Sequence, residues 1–367
     1  MSEFYLIFVW LACMAIMVKR ADVYKATVVS GKRVYRIDLG IAVLIFLPLV
    51  VMAGFRKLSL FDTGMYAWTY RGVPGSLSGL LRYLPFVEKD KGFTVLSSII
   101  KMIFGRNIRT YLLILAILQG CFLIRVFWRY STNYIWSVFL FIASTDYISW
   151  MFNGIRQFTA VTLIFAATDL MLRKKYVPLI VVILLASTIH GSALLMLPVV
   201  FIVQGKAWNQ KTILVLLASL IAILFISQFT DILEILLSDT QYTNVVSDWK
   251  AWNDDGTNPL RVLVYSVPTF LAFIGRKGIK KADDPVINLS TNMSICSTGL
   301  WLVSMVSSGL FIGRLPIYTS LYAFGILLPW ELDHLFTVKS TKIVKIMAIG
   351  AYLLFYYYQI NAIWHIV

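Results

Sequence analysis

Charge is scarce in this chain, and so is cysteine. Only 14% of the 367 residues are Asp, Glu, Lys or Arg, against 59% hydrophobic and 15% aromatic, and mean hydropathy is +0.79. A soluble domain of this length cannot hide so much apolar surface, so composition excludes a water-soluble protein and predicts a polytopic helical membrane protein. Cys13, Cys121 and Cys296 lie far apart inside apolar runs. That spacing excludes a disulfide framework and a cysteine metal site; no metal or cofactor is expected. Also missing are a phosphate-cradling glycine loop, a G-x-S-x-G elbow and an H-E-x-x-H pair. Mid-span carboxylates and repeats between the two halves are lacking too, which counts against an ion-coupled transporter. The N-terminus has Glu3 in place of a basic segment and shows no A-x-A cleavage site, so the first apolar run reads as a retained span.

What charge there is carries information. The net charge is +15. Positive-inside topology and anionic headgroups explain it better than nucleic acid, which is not an expected partner. Apolar runs begin with Phe4 to Val18 and Leu39 to Phe55, and they end with Ile343 to Tyr358. They give about twelve spans, all-α, with both termini outside. The basic clusters at 19–36, 125–129, 173–175, 206–211, 276–281 and 339–345 hold twenty of the 33 Lys and Arg and fall in short loops of one parity, taken as cytoplasmic. The whole chain, 1–367, reads as one integral-membrane domain. Residues 56–109 form a long outer loop and 230–258 an acidic one. Within the first, Phe93, Leu96, Ile100 and Ile103 recur at helical spacing with Ser97, Ser98 and Lys101 opposite, which predicts an amphipathic helix in the outer interface. Asn288 and Asn292 start glycosylation triplets but fall at a cytoplasmic span start and are discounted. Gly309 and Gly313 fit a helix-packing spacing.

The most polar short motif is Asn153-Gly154-Ile155-Arg156-Gln157, placed where one span ends and the next begins. The run after Arg156 descends to Arg173-Lys174-Lys175, and a second run climbs back to His190. At ~1.5 Å per residue the climb is shorter than the descent by roughly 9 Å, which sets His190 below the headgroups and on the same side as Arg156. An ionisable pair held at that depth marks a site. Most remaining polar residues, including Arg56, Asp62, Arg71, Arg82, Glu88, Arg261 and Arg314, also fall on the outer side.

These residues carry a resemblance. Arg56 with Asp62-Thr63-Gly64-Met65-Tyr66, then Glu88 to Leu96, Asn153 to Gln157, Ala186 to Leu194 (with His190) and Gly313 to Tyr318 follow one another as in the EpsG family of bacterial polysaccharide polymerases, related in role to Wzy-type O-antigen and capsule polymerases. The resemblance covers roughly residues 40 to 330. Family members often show Glu-Pro-Gly-Tyr where this chain has Glu88-Lys89-Asp90-Lys91-Gly92-Phe93. What it implies is a membrane glycosyltransferase of GT-C-like architecture that moves a saccharide from a polyprenyl-diphosphate carrier to another lipid-linked repeat unit. The reaction would take place at the outer face of the bacterial cytoplasmic membrane. The bilayer and the lipid-linked repeat units are the implied partners, and a chain-length regulator is a further one. Arg156, Arg314, Arg56 and Arg261 are then the expected diphosphate ligands, because guanidinium forks stabilise a leaving diphosphate without a metal. His190 is the expected base, with Asp62 and Glu88 as rivals. Asn153, Gln157 and Tyr66 are expected to hold sugar, and Trp68, Trp249 and Trp252 offer rings for stacking. Two other classes fit the inventory: a lipid-linked oligosaccharide flippase, and a membrane acyltransferase that modifies surface sugars.

Overall fold

A computed structural model describes residues 3–21, 23–29, 32–237, 243–252 and 254–366. The chain divides into two compact units: Met1–Asp169 with Leu184–His190 and Val338–Val367, and Leu170–Ile183 with Gly191–Thr337.

Helices dominate the first unit, as the composition predicts. Asp38 caps the helix Leu39–Phe55, its carboxylate accepting the Gly40 N–H at 2.9 Å. This helix lies along Ile108–Tyr130, which Asn107 caps in the same way. Phe46, Phe141 and Phe158 stack through the core with centroids 6.2 and 6.1 Å apart, and every one of these rings is fully buried. One departure from an all-α fold appears. The basic segment read as a loop is an antiparallel hairpin, Tyr24–Val29 paired with Lys32–Ile37. Val28, Val34 and Tyr35 suit a pleated strand better than a loop. Arg36 donates from the hairpin to the Arg129 carbonyl at 3.3 Å, and Arg129 meets Asp169 at 3.4 Å. Two segments read as cytoplasmic, 19–36 and 125–129, therefore meet the last turns of the run after Arg156 at one end of this unit. Arg56 closes the 17-residue helix at the other end, about 26 Å away.

The second unit is built on the helix Pro285–Met305, flanked by Gln210–Leu224 and Pro259–Ile274. Its buried face is polar: Ser290, Thr291, Asn292, Ser294 and Ser297 are all within 1% of full burial. Thr269 Oγ1 lies 2.7 Å from both Ser294 Oγ and Thr298 Oγ1, the hydroxyl pairing that joins helices where lipid offers no hydrogen bonds. Asn288 and Asn292 are buried and hydrogen-bonded, consistent with discounting them as glycosylation acceptors.

Several stretches expected as single spans are broken. Tyr134–Ala143 gives way at Thr145, whose φ is +74°, to a π-helical turn Tyr147–Asn153, a bend of 74°. Gln210–Leu224 bends by 108° into Ile226–Leu237. Among the described residues two helices, Ile108–Tyr130 and Val338–Ile363, are each long and apolar enough to cross a membrane, and counting each bent pair as one span raises this to five. The count of about twelve is not reproduced by helix length and composition. Gly309 and Gly313 are not on a packed helix face; they sit in the turn after Met305, against Gly256 and Thr257.

Candidate functional site

The π-helical turn ends at Asn153, and Gly154 leads into the helix Ile155–Ala166. This break faces Arg156 away from the apolar core: its side chain is 43% exposed, whereas Gln157 beside it is buried. Arg156 Nη1 donates to Asp90 Oδ2 at 3.0 Å, and the Asp90 side chain is only 9% exposed. Asp90 occupies the N-cap position of the helix Lys91–Phe104 yet makes no cap hydrogen bond; its φ of +54° turns the carboxylate toward Arg156 instead. A helix start that gives up its cap for an ion pair is holding a guanidinium in place. Next to the pair, Asn153 Oδ1 is buried with no hydrogen-bond partner among the described residues. Such an acceptor is costly unless something donates to it.

The same helix start fixes the segment that ends in His190. A Cβ on Gly92 would come 2.1 Å from Thr188 Oγ1, so only glycine lets the two backbones approach this closely. Asp90, Arg156 and the end of the helix Tyr176–Ile189 are thereby brought to one place in the first unit. Beside them lies an apolar groove of about 860 Å³, lined by Lys91, Gly92, Leu96, Thr159, Leu163 and Ile189 among others.

In the helix Lys91–Phe104 the polar residues Ser97, Ser98 and Lys101 are buried together with Phe93 and Ile100, so the polar stripe does not face outward. Ser97 Oγ is 3.0 Å from Tyr111 Oη, and Ser98 donates to the Pro74 carbonyl at 2.5 Å. Lys101 Nζ donates to the carbonyls of Tyr70, Arg71 and Val73 at 3.1, 2.9 and 2.5 Å, closing the end of the helix Thr63–Gly72. Ile99, Ile103 and Phe104 are exposed instead. Where the surroundings are apolar, hydrogen-bonding groups turn inward and aliphatic ones outward.

The other candidates separate by environment. Arg56 is buried: Nε donates to Thr63 Oγ1 at 2.9 Å, Nη1 bonds the Ala53 carbonyl, and the guanidinium lies 5.4 Å over the Phe152 ring. Its Nη2 is buried without a partner among the described residues. Asp62 stands at the N-cap of Thr63–Gly72 without capping it, and Glu88 is exposed in the loop before Lys91–Phe104. Tyr66 packs edge-on against Phe93 with centroids 6.3 Å apart. Arg261 and Arg314 belong to the second unit. Arg261 lies 5.5 Å over both the Tyr265 and Trp301 rings, and Arg314 is exposed in the short 3₁₀ turn Ile312–Arg314. In that unit Ser192 Oγ and Tyr318 Oη meet at 3.0 Å, joining two of the motif pieces. Trp68 is exposed, and Trp252 stacks on Phe311 at 5.7 Å; the Trp249 side chain and part of the acidic loop, Asp239 included, lie outside the described residues. Asp90 is the one polar contact of this site that residue-type reasoning passed over in favour of Glu88. Its signal was its place directly before a helix start. Among the described residues no three His, Cys, Asp or Glu side chains gather as metal ligands.

The fold and the site define a multi-pass helical membrane protein with a paired arginine beside an apolar groove. The model of the EpsG family matches residues 41–363, and the chain belongs to this family of Wzy-like polymerases. No curated protein and no solved structure matches it.

Proposed function

We propose that the protein is a polysaccharide polymerase: a membrane glycosyltransferase moving a saccharide from a polyprenyl-diphosphate carrier to the terminal sugar hydroxyl of another lipid-linked repeat unit. It works at the outer face of the bacterial cytoplasmic membrane. The observation that carries this reading is the half-exposed Arg156, held by Asp90 directly before Lys91 and Gly92, which line an apolar groove of about 860 Å³. A charged, forked donor beside a long apolar trough suits a ligand with a diphosphate head and a hydrocarbon tail.

In this reading the acceptor hydroxyl oxygen attacks the anomeric carbon of the donor. The bond from that carbon to the diphosphate oxygen breaks, and the diphosphate leaves with the electron pair. Arg156 stabilises the charge that develops there, and Asp90 is a positioning residue that fixes the guanidinium. His190, one residue beyond the groove wall, takes the hydroxyl proton; Asp62 and Glu88 are its rivals. The buried Asn153 Oδ1 accepts from a sugar hydroxyl. Gln157 and Tyr66, packed inward, support that contact. Arg56 braces the 53–63 turn through its buried bonds, and its remaining Nη2 points to a diphosphate oxygen as a further partner. Arg261 and Arg314 remain diphosphate ligands proposed on the motif alone.

The test is reconstitution. Purified protein in vesicles containing polyprenyl-diphosphate-linked repeat units is expected to lengthen the saccharide and release polyprenyl diphosphate one for one. Movement of the repeat unit across the bilayer without lengthening would sink the reading in favour of a flippase.

A further inference from the structure

The second unit carries a basic cavity at the end of the helix Pro259–Ile274 remote from Arg261, about 20 Å along the axis. There the chain bends by 70° into Arg276–Ala282 before Pro285–Met305 returns. A cavity of about 400 Å³ opens at this bend, lined by Lys206, Trp208, Arg276, Lys277 and Lys280, with Asp283 as its single carboxylate. Lys206 and Asp283 approach to 3.8 Å, and three cations are in excess.

The wall opposite the bend is built, not incidental. Asn288 Oδ1 accepts the Ala207 N–H at 3.1 Å, and Asn292 Oδ1 accepts the Trp208 N–H at 3.0 Å. Asn292 Nδ2 donates to the carbonyls of Val203 and Lys206, both at 3.0 Å. These bonds hold Trp208 at φ +59°, a conformation a bulky side chain rarely adopts. Its indole Nε1–H is buried with no acceptor among the described residues. A cavity with excess cations and an unanswered donor calls for an anion.

The surface beside it says what the anion is attached to. Phe270, Phe273 and Ile274 are exposed along the last turns of Pro259–Ile274. This apolar ridge ends at Arg276, whose guanidinium lies 4.8 Å over the Phe273 ring. Fixed cations at the edge of an apolar ridge match a phosphate carried on acyl chains better than a free phosphate.

We propose that this cavity is a binding site for the phosphate of an anionic membrane lipid. The phosphodiester is held by Arg276, Lys277 and Lys280, and the chains run along Phe270 and Ile274. The site is independent of the polymerase reading.

The test uses the full-length protein in detergent, titrated with phosphatidylglycerol, phosphatidylcholine or inorganic phosphate while bound lipid is counted by native mass spectrometry. Phosphatidylglycerol is expected to be retained in preference to phosphatidylcholine. The triple variant Arg276→Gln, Lys277→Gln, Lys280→Gln is expected to lose that preference by roughly a hundredfold. A control variant with the same charge change, Lys339→Gln, Lys342→Gln, Lys345→Gln, is expected to keep it, and Trp208→Phe to weaken it a few-fold without altering the melting temperature. Equal loss in the two triple variants would reduce the effect to diffuse surface charge and overturn the proposal. So would inorganic phosphate binding as tightly as the lipid, which would make the site one for a soluble phosphate.

Discussion

Two carboxylates, Asp90 and Asp254, show how the molecule treats charge in a structural turn and in the candidate site. Asp254 accepts from Ser308 Oγ and from the backbone N–H groups of Gly256, Gly309 and Leu310 at 2.5 to 3.2 Å. Gly256, with φ +92°, is seated so closely that a Cβ would meet the Met305 carbonyl at 2.6 Å. Four donors answer the carboxylate, and it holds two loop segments together. Asp90 stands directly before a helix start, where its backbone carbonyl accepts from the Phe93 and Thr94 N–H groups but its carboxylate caps none. It gives its carboxylate to an arginine that is partly open to the surroundings, three residues after Asn153, whose buried amide oxygen has no donor among the described residues. The first arrangement is closed and reads as structure. The second leaves the Asn153 acceptor unanswered among the described residues and reads as a place where a ligand supplies the donor.

The contrast can be broken at several points. Arg156→Ala is expected to lower the polymerisation rate by about two to three orders of magnitude, with no loss of melting temperature; the readouts are product length in vesicles and thermal unfolding. Asp90→Asn should cost about tenfold, mostly in turnover, since it loosens the guanidinium without removing it. A large fall in stability with either variant would make the pair structural. Arg56→Met should differ by also lowering stability, by about 3 kcal/mol through its buried bonds, read as thermal unfolding in detergent. Lys101→Met, which frees three carbonyls at the end of Thr63–Gly72, is expected to cost about 2 kcal/mol in the same measurement.

The smallest effect is the pH dependence of the Asp254 turn. Partial burial pushes the carboxyl up, but the bonds from Ser308, Leu310, Gly309 and Gly256 outweigh it and hold the group below the usual carboxylate range. A depressed folded value means that the stabilisation is fully present above the unfolded value near 3.9 and is lost as pH falls through the folded one. Below about pH 4 the wild-type protein should therefore lose more stability than Asp254→Asn, and the gap between them should narrow. A gap that widens on acidification would contradict the assignment.

How much of this was legible beforehand follows the same division. Composition was enough for a helical membrane protein, because apolar content on this scale has few other uses. The motif Asn153 to Gln157 stood out because amides and a guanidinium are rare in such surroundings. The hairpin is masked by Lys25, Lys32, Arg33 and Arg36, whose charge fits a cytoplasmic loop as well as it fits the strands that the β-branched residues between them form. The broken spans were hidden because Thr145 and Phe225 carry no Pro or Gly signal; only packing forces the chain to turn there. In Lys91–Phe104 the spacing of Phe93 and Ile100 does mark buried positions, but Ser97, Ser98 and Lys101 are buried as well, because their partners are carbonyls and a hydroxyl of the protein that the sequence does not reveal. The place of Asp90 directly before a helix start signals a cap, and its ion pair with Arg156 stays hidden because the two residues lie 66 positions apart in sequence.

The central claim is that Arg156 serves chemistry and not anchorage. Its most direct test is Arg156→Ala in cells lacking the native copy, with surface polysaccharide resolved by size and protein level checked in the membrane. The account predicts that the ladder of long chains collapses to a single repeat unit at unchanged protein level. An undiminished ladder would contradict it, leaving Arg156 as an anchor at a helix end.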